Sequence, residues 1–421
     1  MRSESVWGRL GMSFSGWAEY KLQDIIRFNP SENISRGEIA RKVAMEKLEP
    51  FNKTINGYEY AEYRGGTKFR NGDTLFARIT PCLENGKTAQ VTILDEDEVG
   101  FGSTEYIILR EIPDKSFNGF IFYLSISPRL RDIAIKSMIG TSGRQRVQQD
   151  VLKNTVLPLP ELDEQKAIAA TLSCLDDKIE LNNRINKNLE EIAQAIFKSW
   201  FIDFEPFQDG EFVESELGMI PKGWKVGTIS DLGEVIGGST PSKARPDYYT
   251  DNGIPWITPK DLSISKDKFI SKGQIDITEL GFENSGVKKM PRGTVLFSSR
   301  APIGYIAISK NVVTTNQGFK SVVPHSNIGT AYVYFLLKNS IELIENMASG
   351  STFKEISGTG MKRVPGLIPD EHTLLRFQNI CDPYFKKQML LEDQNLHLAK
   401  ARDTLLPKLM SGEIRVPLEE V

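Results

Sequence analysis

The stretch LDEQKAIAATLSCLDDKIELNNRINKNLEEIAQAIFKSWFIDF, from Leu162 to Phe204, decides the organisation of this chain. It contains no proline or glycine, although the whole sequence has 21 Pro and 34 Gly. We therefore expect one long helix that begins at an N-cap on Asp163 and is stopped by Pro206. A helix from Glu164 to Phe201 would be about 57 Å long. Its apolar and amide residues recur in steps of four and three, which predicts a seam for a partner helix: Leu175, Ile179, Asn182, Asn186, Leu189, Ala193, Ile196 and Trp200.

Two members of this seam are amides, Asn182 and Asn186. One interpretation places them in a frayed or widened part of the helix pair, where they are partly exposed. The other gives them the task of fixing the register or direction of the pair at some loss of stability. The sequence leaves both interpretations open.

The composition is that of a soluble globular protein with two or three domains, since 421 residues carry 25% charged and 9% aromatic side chains. No apolar stretch approaches the length of a membrane span, and no signal peptide is visible. Three scattered cysteines, Cys82, Cys174 and Cys381, argue against a disulfide framework and for a reducing, cytoplasmic location. Only three histidines are present, which leaves little material for histidine catalysis or a zinc site.

An internal repeat is the most informative feature outside the long helix. Five segments recur in the same order on either side of it, although the spacing between them differs. The pairs are GWAEYKLQDII (from Gly16) with GWKVGTISDLGEVI (from Gly223), GDTLFARITP (from Gly72) with GTVLFSSRAP (from Gly293), FGSTEYIILR with TNQGFKSVVP, FIFYLSISPRLRDIAIKSMIGTS with YVYFLLKNSIELIENMASGST, and VLPLPELDEQKAI with VPGLIPDEHTLLRF. Alternating Val, Ile, Thr and aromatic residues predict short strands in each copy.

A second helical segment, from Asp370 to Gly412, follows the second copy and is the natural partner of the first. We expect Pro383 to restart this helix at its first turn. Its seam has two readings that share Leu391, Leu398 and Leu405. One adds Gln394 and Ala401, and the other adds Asn395 and Arg402.

The predicted fold is α+β: two mixed α/β domains with strand-rich cores, joined by two long helices packed as an antiparallel coiled coil with approximate two-fold symmetry. An antiparallel pair is favoured because the second block must return the chain to the beginning of the first helix. The predicted segments are a leader (1–13), the first block (14–160), the first long helix (161–205), the second block (206–369), the second long helix (370–412) and a tail (413–421).

No catalytic signature is present. The sequence lacks a GxxxxGK[ST] phosphate loop and a GxGxxG after a strand, and no serine has a convincing histidine and acid. We therefore predict a protein that is not an enzyme by itself and that has no metal site or bound cofactor.

Basic and amide side chains cluster instead on loops at corresponding places in both blocks, which are slightly basic, whereas the long helices are acidic. Arginine can read guanine, Asn and Gln can read adenine, and lysine can contact phosphates. For any single residue, a solvated surface charge is the more common role; the recurrence favours DNA contact. The candidates are Arg64, Lys68, Arg70, Arg78, Lys87, Arg144, Gln145 and Arg146 in the first block, and Lys243, Arg245, Lys288, Lys289, Arg292, Arg300, Asn316 and Gln317 in the second.

These features resemble the specificity subunit of type I restriction–modification systems. ELDEQKAIA from Glu161 and LEEIAQAIFKSWFIDFEPF from Leu189 look like the two ends of that family's first conserved helix. RDTLLPKLMSGEI from Arg402 is similar to its C-terminal ending, and both blocks open with a similar tryptophan motif, at Trp17 and Trp224. DEHTLLRF at Asp370 departs from the usual start of the second helix.

The resemblance implies that each block is a target recognition domain for one half of a bipartite, asymmetric site in double-stranded DNA. The helix pair would set the spacer between the halves and would dock two methyltransferase subunits. Those partners would bring S-adenosylmethionine, and a motor-nuclease subunit would bring ATP and Mg. Two alternatives remain: a stand-alone DNA-binding protein, and a protein scaffold.

Overall fold

The computed structural model describes residues 16–141, 143–350 and 354–417. The chain forms two compact units. The first unit combines the residues up to Leu181 with those from Asn395 onward, and the second runs without interruption from Asn182 to Gln394. The predicted leader (1–13) lies outside the described residues, as do the last four residues of the predicted tail. None of the described helices is both long enough and apolar enough to span a membrane.

The first block contains ten described strands and four short helices. Its strands are β1 (Ala18–Lys21), β2 (Ile26–Phe28), β3 (Ile39–Val43), β4 (Glu59–Glu62), β5 (Thr67–Phe69), β6 (Thr74–Ala77), β7 (Thr88–Gln90), β8 (Gly100–Gly102), β9 (Tyr106–Glu111) and β10 (Val156–Leu159). Its helices are α1 (Leu22–Ile25), α2 (Asn118–Ile126), α3 (Pro128–Lys136) and α4 (Gln149–Asn154).

These strands form two sheets and one pair. The order β2-β9-β6-β7 is antiparallel throughout, and in the order β4-β3-β8-β5 only β3 and β8 run parallel. Strand β6 is buried along its whole length, as expected for a central strand covered on both faces. Helix α2 packs into the same core through Phe120 and Tyr123. Strand β1 pairs with β10 and so joins the beginning and end of the block.

The second block has thirteen described strands. They are β11 (Phe212–Ser215), β12 (Gly218–Pro221), β13 (Lys225–Thr228), β14 (Gly233–Gly237), β15 (Tyr249–Thr250), β16 (Ile254–Ile257), β17 (Phe269–Ile270), β18 (Ile275–Ile277), β19 (Val295–Ser299), β20 (Ile303–Ser309), β21 (Thr314–Thr315), β22 (Lys320–Pro324) and β23 (Pro365–Ile368). The helices on either side of and between them are α5 (Leu162–Phe201), α6 (Ile229–Leu232), α7 (Pro259–Ile264), α8 (Glu279–Glu283), α9 (Thr330–Asn339), α10 (Ile341–Met347), α11 (Gly358–Lys362) and α12 (Glu371–Ser411).

The repeat predicted from the sequence is visible in the strand order of the second block. Its main sheet, β14-β22-β19-β20-β17, repeats the first block's β2-β9-β6-β7 order and adds one edge strand. Its second sheet is β15-β18-β16-β21, and β13 pairs with β23 as β1 pairs with β10. The two blocks therefore share the order of the main sheet and the closing strand pair, and the prediction of strand-rich mixed domains is confirmed.

The two long helices are α5, with 40 residues, and α12, with 41. They run antiparallel in each unit. In the first unit Asp176 lies opposite Arg402, and in the second Asn182 lies opposite Gln394 while Gln388 contacts Asn186. The seam residues predicted on α5 are all buried or half-buried, and so are Leu391, Leu398 and Leu405 on α12. The predicted antiparallel pairing of the long helices is confirmed.

Three details of these helices differ from the predictions or decide between them. Helix α5 begins at Leu162, so Asp163 lies in its first turn rather than at the cap. Helix α12 continues through Pro383, because buried Phe377, Cys381 and Phe385 on both sides of the proline hold it against the core. On the second seam Arg402 is buried and Ala401 is exposed, which favours the reading with Arg402 at that position.

Candidate nucleic-acid interface

In the first block, two arginines predicted to contact DNA meet at one carboxylate. Glu105, just before β9, accepts hydrogen bonds from Arg146 Nε at 3.0 Å and Arg146 Nη2 at 2.7 Å. It also accepts a hydrogen bond at 3.3 Å from Nε of Arg78, which directly follows β6. We call Arg78, Glu105 and Arg146 the Glu105 cluster. The hydrogen bond from Arg146 is the main cause that lowers the pKa of Glu105, so the carboxylate is ionised at neutral pH.

The turn that carries Arg144 and Gln145 adjoins this cluster. The Thr80 amide donates to Gln145 O at 3.0 Å, and the Gln145 amide donates to Thr80 Oγ1 at 2.9 Å. Backbone bonds therefore hold the turn at the end of β6, while Arg144 is exposed to solvent. Among the described residues, no partner is seen for the Gln145 side-chain amide or the Arg144 guanidinium, so both have donors available to a ligand.

A glycine-rich turn brings Arg64 toward the same region. A Cβ on Gly66 would lie 2.2 Å from Gly102 O, at a φ of +126°, so only glycine permits this close approach of two backbones. The Thr67 hydroxyl donates to Ser103 O, two residues before Glu105. Arg64 itself is exposed and forms an ion pair with Glu62.

The second block also has two cations bridged by one carboxylate. Glu355 accepts a hydrogen bond from Arg300 Nη1 at 3.3 Å and another from Lys320 Nζ at 3.3 Å. We call Arg300, Lys320 and Glu355 the Glu355 cluster. Lys320 Nζ also lies 3.5 Å from Gln317 O, which places the predicted amide residue next to the cluster.

A loop predicted to contact DNA lies beside Asn316 and Gln317. A Cβ on Gly238 would lie 2.0 Å from Asn316 O, and the Ser239 amide donates to Thr315 O at 3.0 Å. The Thr240 hydroxyl donates to the side-chain oxygen of the exposed Gln317. Further along this loop Lys243 is exposed, and Arg245 forms an ion pair with Asp247 at 2.7 Å.

The remaining predicted residues lie elsewhere or are engaged within the fold. Lys68 and Arg70 contact Glu32 at the opposite end of β6 from Arg78. Lys87 donates to Met45 O at 3.0 Å, although its backbone adjoins the end of β6.

In the second block Arg292 precedes β19 whereas Arg300 follows it, so the two arginines lie at opposite ends of a five-residue strand. Lys289 forms an ion pair with Glu279, and Lys288 is exposed, three residues before Pro291. DNA contact by any of these residues stays a prediction.

Sequence reasoning missed Glu105, Glu355, Lys320, Thr80 and Thr240. The carboxylates gave no signal because acidic residues are common throughout the chain and are repelled by phosphates. Lys320 lies in the repeated segment TNQGFKSVVP, three residues after Gln317, and the repeat could have identified it. The described residues contain no group of three His, Cys, Asp or Glu side chains placed to hold a metal ion.

Comparison with known proteins identifies the family of this chain. Residues 15–191 and 221–372 match the family described as "Type I restriction modification DNA specificity domain". The "Type I restriction enzyme HindI specificity subunit" of Haemophilus influenzae is 26% identical, over 95% of this chain and 100% of that relative. The MjaIX specificity subunit of Methanocaldococcus jannaschii is 41% identical, over 45% of this chain and only 46% of that relative's length.

A solved structure supports the fold. The type I restriction-modification system S subunit from M. genitalium aligns with a TM-score of 0.58 and 15% identity, over 95% of this chain and 96% of that one. The family match covers both blocks and most of α5, so the repeated topology and the sequence agree. The chain therefore belongs to the family of type I restriction–modification DNA specificity proteins.

Proposed function

We propose that each block reads one half of a two-part, asymmetric sequence in double-stranded DNA. The observation that carries this proposal is a carboxylate-bridged pair of cations that recurs at the C-terminal end of the corresponding central strands β6 and β19, as the Glu105 cluster and the Glu355 cluster. A guanidinium with free N–H donors can read guanine bidentately, and an amide such as Gln145 or Gln317 can read adenine. Exposed Lys243, Arg144 and Arg64 are suited to phosphate contacts.

The long helices serve in this proposal as the spacer between the two half-sites. Both helices continue without a break through the point where the compact units divide, at Leu181–Asn182 and at Gln394–Asn395. A helix has a fixed rise of about 1.5 Å per residue, so its length can set the distance between two DNA-reading blocks.

Outward apolar side chains on the same helices support docking of methyltransferase subunits. Leu181 and Leu396 in the first unit, and Ile192, Leu375 and Leu390 in the second, are exposed large apolar residues on α5 and α12. Such residues on an otherwise acidic surface are typical of protein interfaces. The partners would supply S-adenosylmethionine, ATP and Mg, and this subunit would perform no catalysis by itself.

The deciding experiment is selection of random duplexes by the full chain together with its methyltransferase. Enrichment of a gapped, two-part sequence is the expected result. Recovery of random sequence would refute the proposal, and enrichment of one short contiguous site by the chain alone would favour a stand-alone DNA-binding protein. If residues 14–155 are exchanged for the first block of another family member, the selected DNA should change in one half-site only.

The spacer role has its own test. Seven residues are inserted between Leu181 and Asn182 and seven more between Gln394 and Asn395, which leaves every contact inside each unit unchanged and maintains the seam repeat. The selected DNA should then keep both half-sites and gain a longer spacer. Changed half-sites with the original spacer would contradict the spacer role.

A further inference from the structure

The carboxylates of Glu105 and Glu355 lie on the surface proposed to bind DNA, where a negative charge is unexpected because it repels phosphates. Glu105 is 21% exposed and its partner Arg146 is 43% exposed. Ion pairs with this degree of exposure stabilise a fold by only about 0–1 kcal/mol, because solvent screens them. Stability of the fold is therefore a weak reason for a glutamate between two cations in each block.

The two clusters are built differently, which excludes simple inheritance of one ion pair through the repeat. The Val147 amide donates to Arg78 O, and the Ile356 amide donates to Ser299 O, so Arg146 and Glu355 hold corresponding positions. In the first block the carboxylate comes from Glu105 instead. The Arg78 amide donates to Glu105 O and the Ser299 amide donates to Gly318 O, so the counterpart of Glu105 in the second block is Gly318. One carboxylate and two cations are thus present at both places, but from different segments.

We propose that Glu105 and Glu355 are positioning residues that raise the sequence discrimination of their respective blocks. This inference rests on the proposed function. Each carboxylate engages one edge of an arginine and leaves other donors for DNA. Arg78 gives its Nε to Glu105, and both its Nη atoms lack a partner among the described residues; Arg300 gives Nη1 and retains Nε and Nη2.

Two physical effects follow from this arrangement. A guanidinium already held at one edge loses less conformational freedom when it binds a base, so the correct contact is strengthened. The carboxylate also reduces the local positive potential and repels phosphates that approach without the matching base contact, so non-specific binding is weakened. Both effects increase the ratio of specific to non-specific affinity.

The test compares Glu105→Gln and Glu355→Gln in the full chain with its methyltransferase. Affinity is measured for the selected duplex, for duplexes with either half-site scrambled, and for random duplex over a range of salt concentrations. Glu105→Gln should raise the affinity for random duplex several-fold and lower discrimination at the first block's half-site about tenfold. Discrimination at the other half-site should be unchanged, and Glu355→Gln should give the reverse pattern.

Glu59→Gln and Glu211→Gln are the matched controls. They remove the same charge from exposed ion pairs with Lys42 and Lys222, one in each block, and should leave discrimination as in the wild type. Glu105→Asp retains the charge but shortens the side chain, so it should lower discrimination without raising affinity for random duplex. This variant separates geometry from charge, and thermal unfolding of all variants shows whether they are folded.

The inference would be overturned if Glu105→Gln weakened binding to all duplexes equally, or if it left half-site discrimination intact. If instead the wild-type complex selected no gapped sequence, the proposed function itself would fail, before any variant is compared.

Discussion

The indole Nε1 of Trp17 donates a hydrogen bond to Oε2 of Glu164 at 3.1 Å. Trp17 lies just before β1 and Glu164 lies in the first turn of α5, so this bond fixes the beginning of the first block to the beginning of its long helix. The second block has the equivalent contact, from Trp224 Nε1 to Oδ2 of Asp370 at 3.1 Å. The tryptophan motif at the opening of each block therefore has a structural role in joining the block to a helix.

Trp17→Phe should loosen this joint, because phenylalanine keeps an aromatic ring and lacks the N–H donor. One hydrogen bond to a charged group is worth about 1.5–3 kcal/mol. We expect faster amide hydrogen exchange at residues 162–168, at the start of α5. Trp224→Phe is the matched control: it should accelerate exchange at the beginning of α12 and leave 162–168 unchanged. Equal exchange in both variants would contradict this role.

Asp176 and Arg402 form a buried ion pair that should dominate the stability of the helix pair in the first unit. Their side chains are 8% and 11% exposed, Arg402 Nη1 lies 2.7 Å from Asp176 Oδ1, and the Tyr123 hydroxyl donates to Oδ2 at 2.6 Å. Asp176→Leu alone leaves a buried cation and should cost about 3–5 kcal/mol of the free energy of unfolding.

The double variant Asp176→Leu/Arg402→Met should recover part of that loss, because it leaves no unpaired charge. Urea unfolding of the four members of this cycle measures the coupling. Asp163→Asn, which removes an exposed ion pair with Lys166, should be neutral. Additive effects of the two single substitutions would show that the pair is not coupled.

Glu190 makes the free energy of unfolding of the second unit depend on pH in the acid range. Burial raises its pKa, but the nearby charges of Lys268 and Lys338, with their hydrogen bonds, lower it overall to about 2 from an ordinary value of 4.5. Between pH 4.5 and pH 2 the Glu190 carboxylate therefore binds a proton more readily in the unfolded chain than in the folded one. The stabilisation by Glu190 is complete above pH 4.5 and is lost as the pH falls toward 2.

Glu190→Gln should lower the free energy of unfolding strongly at pH 7, since it leaves Lys268 buried without its carboxylate. The difference from the wild type should shrink as urea unfolding is repeated at lower pH between 4.5 and 2. Glu191→Gln, on the neighbouring exposed ion pair with Lys187, should show no such convergence. A constant difference at all pH values would refute this assignment.

The two seam asparagines should respond oppositely to substitution. Asn182 is buried and its Nδ2 donates to Gln394 Oε1 at 2.9 Å, so Asn182→Leu removes a hydrogen bond between the two helices and should destabilise the pair by about 1 kcal/mol. Among the described residues Asn186 Oδ1 is buried without a hydrogen-bond partner. Asn186→Leu should therefore stabilise the helix pair by about 0.5–1 kcal/mol. Thermal unfolding checks both, and a loss of stability in both variants would contradict the distinction.

The sequence was sufficient to predict two strand-rich blocks and an antiparallel helix pair, because the repeat and the seam are patterns that recur along the chain. Five matching segments implied two related blocks, and the steps of four and three along α5 identified a helix pair. Pro383 misled the prediction because a missing N–H is a local penalty, whereas burial of Phe377 and Phe385 on either side of it is a tertiary effect.

The candidate interface was less predictable because it depends on contacts between distant segments. Glu105 lies 27 residues from Arg78 and 41 from Arg146, and neither spacing is a recognisable motif. By contrast, the strand predicted in GTVLFSSRAP already separated Arg292 from Arg300, and the two residues do lie at opposite ends of β19.

The division of the chain into units has a consequence for synthesis on the ribosome. The first unit needs the residues from Asn395 onward, including Arg402 opposite Asp176 and Arg415 against Glu164. The second unit is continuous from Asn182 to Gln394 and can close as soon as that segment has emerged. The block that is made first therefore lacks part of its unit until the last residues of the chain have been synthesised.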